Sequence, residues 1–197
     1  MSSISIDKNI SNAFAVIYAT YENVLKLISC LQNLAMEKSD YVLCTDKFLR
    51  WNSEGKNIYS WAYHTFTLVF QREDDAELDS GWRDGPLYVF DINLYDYDEA
   101  TVQIARFDYN DANAFPSVFS TSDHWKFDNV INHYDDDFIS YKQEDTRYEG
   151  IVKDVMKADK KYWGVRRVVG FFIPLTEITF ENVFEKVFDG FDKLIEQ

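Results

Sequence analysis

The feature that most constrains the fold is a set of three alternating apolar segments between Ile58 and Tyr109. Trp61 to Phe70 is mostly aromatic or β-branched, and no glycine or proline interrupts it. Leu87 to Tyr95 and Thr101 to Tyr109 show the same alternation of side-chain types. Because successive side chains of a β-strand point to opposite faces, this pattern predicts three consecutive strands.

The connections between these segments predict how the strands pair. The first connection, Gln71 to Gly85, is polar and ends in turn-forming residues before Pro86. The second, Asp96 to Glu99, is short and acidic. Two strands joined by so few residues are most simply an antiparallel hairpin, here with a loop longer than the tightest turns.

Helical periodicity flanks the strands at both ends of the chain. Ala13 to Glu37 carries apolar residues three or four positions apart, which predicts an amphipathic helix. A second helix with an apolar stripe is expected after Thr176 or Thr179. Tyr162 to Ile173 is the most apolar run, which favours a strand covered on both faces. The order predicts one α+β domain over residues 1–197, with an antiparallel sheet of four to five strands. The N-terminal and C-terminal helices are expected on one face of that sheet.

Several segments give weaker or different patterns. Residues 1–10 are expected to form a loose arm or a short edge strand, and Tyr41 to Trp51 fits either a strand or a helical turn. Asn110 to Glu149 is predicted to be an irregular acidic insertion. Lys126 to Tyr141 has a helical stripe, and Glu144 to Gly150 is predicted to be a loop.

Composition limits the class of protein. The 197 residues are 46% hydrophobic and 17% aromatic, which is enough for a substantial core. Cys30 and Cys44 belong to no metal-binding or redox spacing, so a reduced cytoplasmic protein without zinc is expected. The polar N-terminus lacks the pattern of a signal peptide. By eye, no apolar stretch of the sequence approaches the roughly 18 residues of a membrane span, so no membrane association is expected.

The net charge of −14 is concentrated in the middle of the chain. Residues 71–149 hold twenty acidic and six basic residues, whereas the rest of the chain holds fourteen of each. Such a field repels nucleic acid and attracts basic proteins or cations. Solubility alone is the plainer explanation of the same charge.

The motifs of most enzyme classes are missing. No nucleophile motif and no glycine-rich phosphate loop is present, so no cofactor is expected. A metal-dependent nuclease would need an acid and a lysine on the strand after Asp91, where Gln103 and Ala105 stand instead. A divergent metal-dependent hydrolase site around Asp91, His124 and His133 is the alternative that the sequence leaves open.

The strongest positive signal is a group of aromatic residues mixed with carboxylates. Aromatic rings anchor a partner and carboxylates steer an arginine-rich or lysine-rich surface. The predicted partner-binding residues are Trp82, Asp91, Tyr95, Asp96, Tyr97, Asp98, Glu99, Asp108 and Tyr109. The same aromatics could instead cover the sheet as core. A pair between Asp91 and Arg166 or Arg167 would be structural.

These observations favour an acidic protein-binding module that inhibits or regulates a basic partner protein, such as one that binds nucleic acid. Immunity proteins, antitoxins and phage inhibitors, including nucleic-acid mimics, share this profile of compactness, acidity and aromatic content. That is an analogy of composition. A second alternative, beside the hydrolase, is an accessory subunit whose apolar patches are covered on assembly.

Overall fold

The computed structural model of the protein describes residues 6–45, 47–50, 62–95, 99–132 and 139–195. Within these ranges the chain forms four α-helices and a seven-stranded antiparallel sheet, an α+β fold as predicted. The helices are α1 Ile6–Lys38, α2 His124–Ile131, α3 Val155–Lys161 and α4 Val183–Ile195. The strands are β1 Tyr41–Leu43, β2 Thr65–Arg72, β3 Leu87–Asn93, β4 Thr101–Tyr109, β5 Ile139–Glu144, β6 Arg147–Val152 and β7 Val165–Pro174.

The strand order in the sheet is β1-β2-β3-β4-β7-β6-β5. The three strands predicted between Ile58 and Tyr109 are confirmed as β2, β3 and β4, and β3 and β4 form the predicted antiparallel hairpin. Their register places Thr67, Asp91 and Gln103 side by side across the sheet. The apolar run after Tyr162 is confirmed as β7, which lies between β4 and β6.

The predicted number of four to five strands was too low. The chain also forms the β5–β6 hairpin, where a loop was expected over Glu144 to Gly150. Most side chains of β5 are polar and exposed, so this strand lacks the alternation that identifies the others. The helix predicted over Lys126 to Tyr141 is likewise corrected, because α2 ends at Ile131 and Ile139 already belongs to β5.

One face of the sheet is covered by α1 and α4, which confirms both terminal helices. The buried stripe of α1 includes Val24, Ile28 and Leu31, and α4 contributes Phe188 and Phe191 to the same core. The aromatic rings of α4 pack against Tyr41, Phe70 and Tyr88 of the sheet. The helix α1 begins at Ile6, so the arm or strand predicted for residues 1–10 is wrong for residues 6–10.

Contrary to the expectation that helices lie on one face, the second face is covered as well. There α2 buries Phe127 and Val130, α3 buries Ala158, and Leu49 packs in the same core. Residues 110–149 are therefore an ordered part of the fold wherever they are described, and not an irregular insertion. Both faces of β2, β3 and β4 are buried, as their burial patterns show.

The arginines of β7 form ion pairs, although not with Asp91. Arg167 Nε lies 2.7 Å from Glu149 Oε1, and Arg167 Nη1 lies 3.6 Å from Asp108 Oδ2. Arg166 Nη2 lies 2.7 Å from Asp159 Oδ1. These pairs tie β7 to β4, β6 and α3, so the expected pairing with Asp91 is wrong.

Among the described residues, one helix is long and apolar enough to cross a membrane by length and composition. This is α1, and 22% of its most apolar 18-residue window is buried inside the protein. The expectation that no stretch reaches this length is therefore corrected. The core helix of a soluble protein passes the same test, and Val24, Ile28 and Leu31 of α1 lie in the core.

Candidate partner-binding site

Four of the predicted site residues that the structure describes lie at opposite ends of the β3–β4 hairpin, so the predicted set does not form one surface. Tyr95 and Glu99 flank the connection between the two strands, whereas Asp108 and Tyr109 end β4. A strand rises about 3.3 Å per residue, so Thr101 and Tyr109 are about 26 Å apart. Asp96, Tyr97 and Asp98 lie outside the described residues.

Two of the predicted residues are buried and cannot contact a partner in this structure. Trp82 is 6% exposed, packs against Phe115 and Phe119, and its indole Nε1 donates to the Pro116 carbonyl at 2.8 Å. Asp91 is 1% exposed. Trp82 therefore belongs to the core of the second face, and Asp91 belongs to a polar cluster described below.

Acidic residues converge where β2 ends, β3 begins and β4 ends. We call this region the acidic sheet end and define it by Glu73, Asp74, Asp75, Glu77, Asp79, Asp84, Asp108 and Asp111. The first six lie in the loop from residue 73 to residue 86, where Arg83 is the one basic residue. Most of these side chains are exposed. Sequence analysis counted this charge and placed Trp82 of this loop in the site, but it assigned none of the loop's six acids to the site, although they are its clearest signal.

Hydrogen bonds hold the acidic loop in one conformation. Arg83 Nη1 donates to the carbonyls of Glu73 and Asp75, at 2.7 and 3.0 Å. The Gln71 side chain donates a hydrogen bond to the Arg83 carbonyl and accepts one from the Arg83 backbone amide. A Cβ at position 85 would lie 2.0 Å from Asp75 Oδ2, so Gly85 permits the close approach of that carboxyl. A partner would therefore meet carboxylates whose backbone is already ordered, which lowers the entropic cost of binding.

A cleft of about 160 Å³ lies between this loop and the end of β4, lined by Asp84, Asp108 and Asp111. Arg106 holds Asp108 at 2.8 Å, and Asp111 accepts hydrogen bonds from the backbone and side-chain nitrogens of Asn113. Asp84 is exposed and has no ion-pair partner within the described chain. The cleft therefore combines a negative lining with room for a group such as a guanidinium or an ammonium.

The neighbouring carboxyls Asp74 and Asp75 have opposite pKa shifts. The hydrogen bond from Arg72 Nε, at 2.7 Å, lowers the pKa of Asp74. Burial raises the pKa of Asp75, and the charge of Asp74 raises it further. Asp75 Oδ2 is buried and accepts no hydrogen bond from a described residue. Because Arg72 pairs Asp74 and Asp75 is half-buried, the remaining exposed carboxylates of this loop are those of Glu73, Glu77, Asp79 and Asp84.

The opposite end of the hairpin carries the other predicted residues. Tyr95 is 73% exposed and its ring stands edge-on to His64, with centroids 6.3 Å apart. Glu99 is exposed too. The phenol of Tyr109, at the acidic end, is instead stacked on Phe107 and edge-on to Phe115. At the hairpin loop, the structure describes two of the predicted site residues, Tyr95 and Glu99. Both are exposed, so a partner can reach them.

The hydrolase alternative falls on a buried polar cluster between the sheet and α2. Thr67 Oγ1 donates to Asp91 Oδ1 at 2.6 Å, and Asn132 bridges Gln103 and Asp128 at 2.8 and 2.7 Å. Burial raises the pKa of both Asp91 and Asp128, and the charge of Asp128 adds to the shift of Asp91.

The polar cluster and the histidines near it provide few of the ligands that a metal-dependent hydrolase would need. Burial lowers the pKa of His124 to about 4, and its Nδ1 lies 3.2 Å from the Ser122 carbonyl. In the described part of the chain, no three His, Cys, Asp or Glu side chains are grouped so that they could hold a metal ion. His133 lies outside the described residues. The hydrogen bonds of this cluster thus link β2 to β3, and β4 to the C-terminal end of α2.

Comparisons with protein-family models, with curated proteins and with solved structures found no match for this chain. The class is therefore defined by the fold itself, a seven-stranded antiparallel sheet with helices on both faces and an acidic end.

Proposed function

We propose that this protein is an acidic binding module that inhibits or regulates a basic partner protein, and that the partner docks on the acidic sheet end. The observation that carries the proposal is the cleft lined by Asp84, Asp108 and Asp111, next to the hydrogen-bonded acidic loop. The hairpin loop with Tyr95 and Glu99, about 26 Å away, is the other place where sequence analysis put the site.

The cleft supports a partner that inserts one arginine or lysine side chain. An arginine that enters between the carboxylates makes charge-assisted hydrogen bonds, which are shorter and stronger than neutral ones. The exposed acids Glu77 and Asp79 lie on the same loop and attract further basic groups at longer range. Electrostatic attraction of this kind raises the association rate and falls with salt concentration.

A row of fixed carboxylates also supports inhibition by occupation of a basic surface. Five of the six acids within residues 73–86 are exposed and present negative charge along the loop, as phosphates do along a nucleic-acid strand. A partner surface that normally binds phosphates would then be blocked by this loop. An immunity protein, an antitoxin or a phage inhibitor would act in this way, by binding and without chemistry.

The proposal is tested first by affinity capture from host lysate, with washes at low and high salt. We expect a basic protein that is retained at low salt and released at high salt. The purified partner is then titrated with a variant that carries Glu77→Gln, Asp79→Asn and Asp84→Asn. Each exposed charge contributes about 0.2–1 kcal/mol, so three neutralisations should weaken binding on the order of tenfold and reduce its salt dependence.

The control neutralises the acids of the hairpin loop, Asp96, Asp98 and Glu99, and removes the same number of charges. If this control weakens binding and the variant at Glu77, Asp79 and Asp84 does not, the site lies at the hairpin loop and our placement of it at the acidic sheet end is wrong. If no partner is captured at any salt, the binding function is itself contradicted. Calorimetry with Mg²⁺, Mn²⁺ and Zn²⁺ then tests the hydrolase alternative.

A further inference from the structure

We infer that two copies of this chain associate through the N-terminal half of α1, with the two helices antiparallel. We call residues 6–23 the α1 arm, because the first fully buried side chain of the helix is Val24. The arm is about 27 Å long at 1.5 Å per residue. This surface lies apart from the acidic sheet end, so the inference does not depend on the proposed function.

A single apolar stripe runs along the whole helix. Its members alternate at spacings of four and three, the repeat of a coiled-coil interface. They are Ile10, Phe14, Ile17, Tyr21, Val24, Ile28, Leu31 and Ala35. The last four are buried against the sheet, whereas Ile10 and Phe14 are 52% and 54% exposed. The interface pattern therefore continues beyond the part of the helix that the sheet covers.

The lack of charge on the arm favours a second copy of this chain as the partner that binds it. No charged residue occurs from Asn9 to Tyr21, in a chain whose net charge is −14. A basic partner is attracted to the acidic sheet end and gains nothing from an uncharged helix. For a second copy of the same acidic chain, the arm is a surface where the two molecules can meet without like-charge repulsion. The repeat of four and three is also self-complementary, because each copy supplies the same stripe.

The area available fits a weak, reversible dimer. Ile6, Ile10, Phe14 and Tyr18 are 76%, 52%, 54% and 63% exposed. An aromatic side chain presents about 150–250 Å² when free, so Phe14 and Tyr18 each leave about 100 Å² uncovered. Two copies then supply about 400 Å² from these two rings, and the exposed isoleucines add to that area. The total falls in the range of transient interfaces, below the roughly 1,000 Å² of a stable specific one.

A groove beside the arm indicates the antiparallel direction. A cavity of about 410 Å³ lies between α1 and the residues before α4, lined by Val24, Leu27, Leu175 and Ile178. When two arms pair antiparallel about Phe14 and Ile17, Ile6 of one copy reaches the level of Val24 in the other, next to this groove. A parallel pair would instead bring both acidic bodies to the same end of the helices.

Sedimentation equilibrium of the full-length protein tests the inference. We expect a monomer–dimer equilibrium in the micromolar range. The variant with Ile10→Asp and Phe14→Asp should weaken dimerisation about 100-fold or more, because two charges then enter an apolar interface. Both side chains are exposed in the monomer, so folding should be unaffected. The matched control is Val118→Asp with Met156→Asp, two exposed apolar residues elsewhere, and it should dimerise like the original.

Cysteine cross-linking tests the direction, with Cys30 and Cys44 replaced by serine. Phe14→Cys should form a disulfide between copies, whereas Ile6→Cys should not, since antiparallel helices separate the two Ile6 positions. A cross-link at position 6 would overturn the antiparallel pairing. A chain that stays monomeric, or a dimer that survives Ile10→Asp with Phe14→Asp, would overturn the interface. A monomer that floats with lipid vesicles would show instead that the arm binds membrane.

Discussion

At the scale of single residues, the two buried carboxyls Asp91 and Asp128 are the most unusual feature. Asp91 Oδ1 accepts a hydrogen bond from Thr67. Asp91 Oδ2 is buried and accepts no hydrogen bond from a described residue. Because burial raises the pKa of Asp91 well above its ordinary value, the folded protein holds this proton more tightly than the unfolded chain does. The stability that depends on this proton is therefore lost as pH rises.

This linkage predicts the effect of Asp91→Asn. Stability of the original protein should fall between the unfolded pKa of Asp91, about 4, and its raised folded pKa, whereas the amide removes this contribution. The advantage of the variant should grow by about 1.4 kcal/mol per pH unit over that window. Urea unfolding at several pH values measures it. The exposed Asp79→Asn serves as the control, and an equal response of both variants would contradict the account.

At the scale of elements, the two halves of α1 carry the same pattern in different environments. Leu31 is 0% exposed in the core, whereas Phe14 is 54% exposed on the arm. The periodicity of three and four predicted a helix from Ala13 to Glu37, which is correct for the buried half and for the part of the arm after Ala13. It could not show where the sheet beneath the helix ends, because that depends on the lengths of strands far away in the chain.

The difference predicts unequal costs of truncation. Leu31→Ala should destabilise the protein by about 2–5 kcal/mol, since it leaves a cavity in a packed core. Phe14→Ala should change the stability of the monomer by less than about 0.5 kcal/mol. Urea unfolding at low protein concentration, where the monomer dominates, gives both values. Comparable losses would mean that the arm packs on the body of the protein.

The pairing of strands explains which elements the sequence identified and which it did not. Strands β2 to β4 and β7 are dense in branched and aromatic residues, so composition alone identifies them. Strand β5 is held by its pairing with β6, and most of its side chains are exposed and polar. The acidic site was predicted as one face, but the pairing of β3 with β4 places Tyr95 and Asp108 at opposite ends. The predicted hairpin already implied that separation, because Asp108 stands at the far end of a strand that begins next to the loop.

At the scale of the whole molecule, the charge of −14 acts against the folded state through self-repulsion. Salt screens this repulsion, since the Debye length falls to about 10 Å at 0.1 M. We expect the melting temperature to rise by about 2–4 °C from low to moderate NaCl, which corresponds to about 1 kcal/mol in a chain of this size. Calorimetry measures the shift. A falling melting temperature would mean that ion pairs such as Arg167–Glu149 outweigh the repulsion.

The position of β7 in the sheet means that β4 is synthesised well before the strand that pairs with it. This strand pairs with β4 on one side and β6 on the other, yet it is the last strand to leave the ribosome. Until Val165–Pro174 emerges, β4 has an open edge in the middle of the future sheet. At about 5–20 residues per second, the wait from Tyr109 to Val165 is about 3–11 s. During that interval the nascent chain exposes an apolar edge that invites wrong pairing, and a chaperone at the ribosome exit would have its clearest role there.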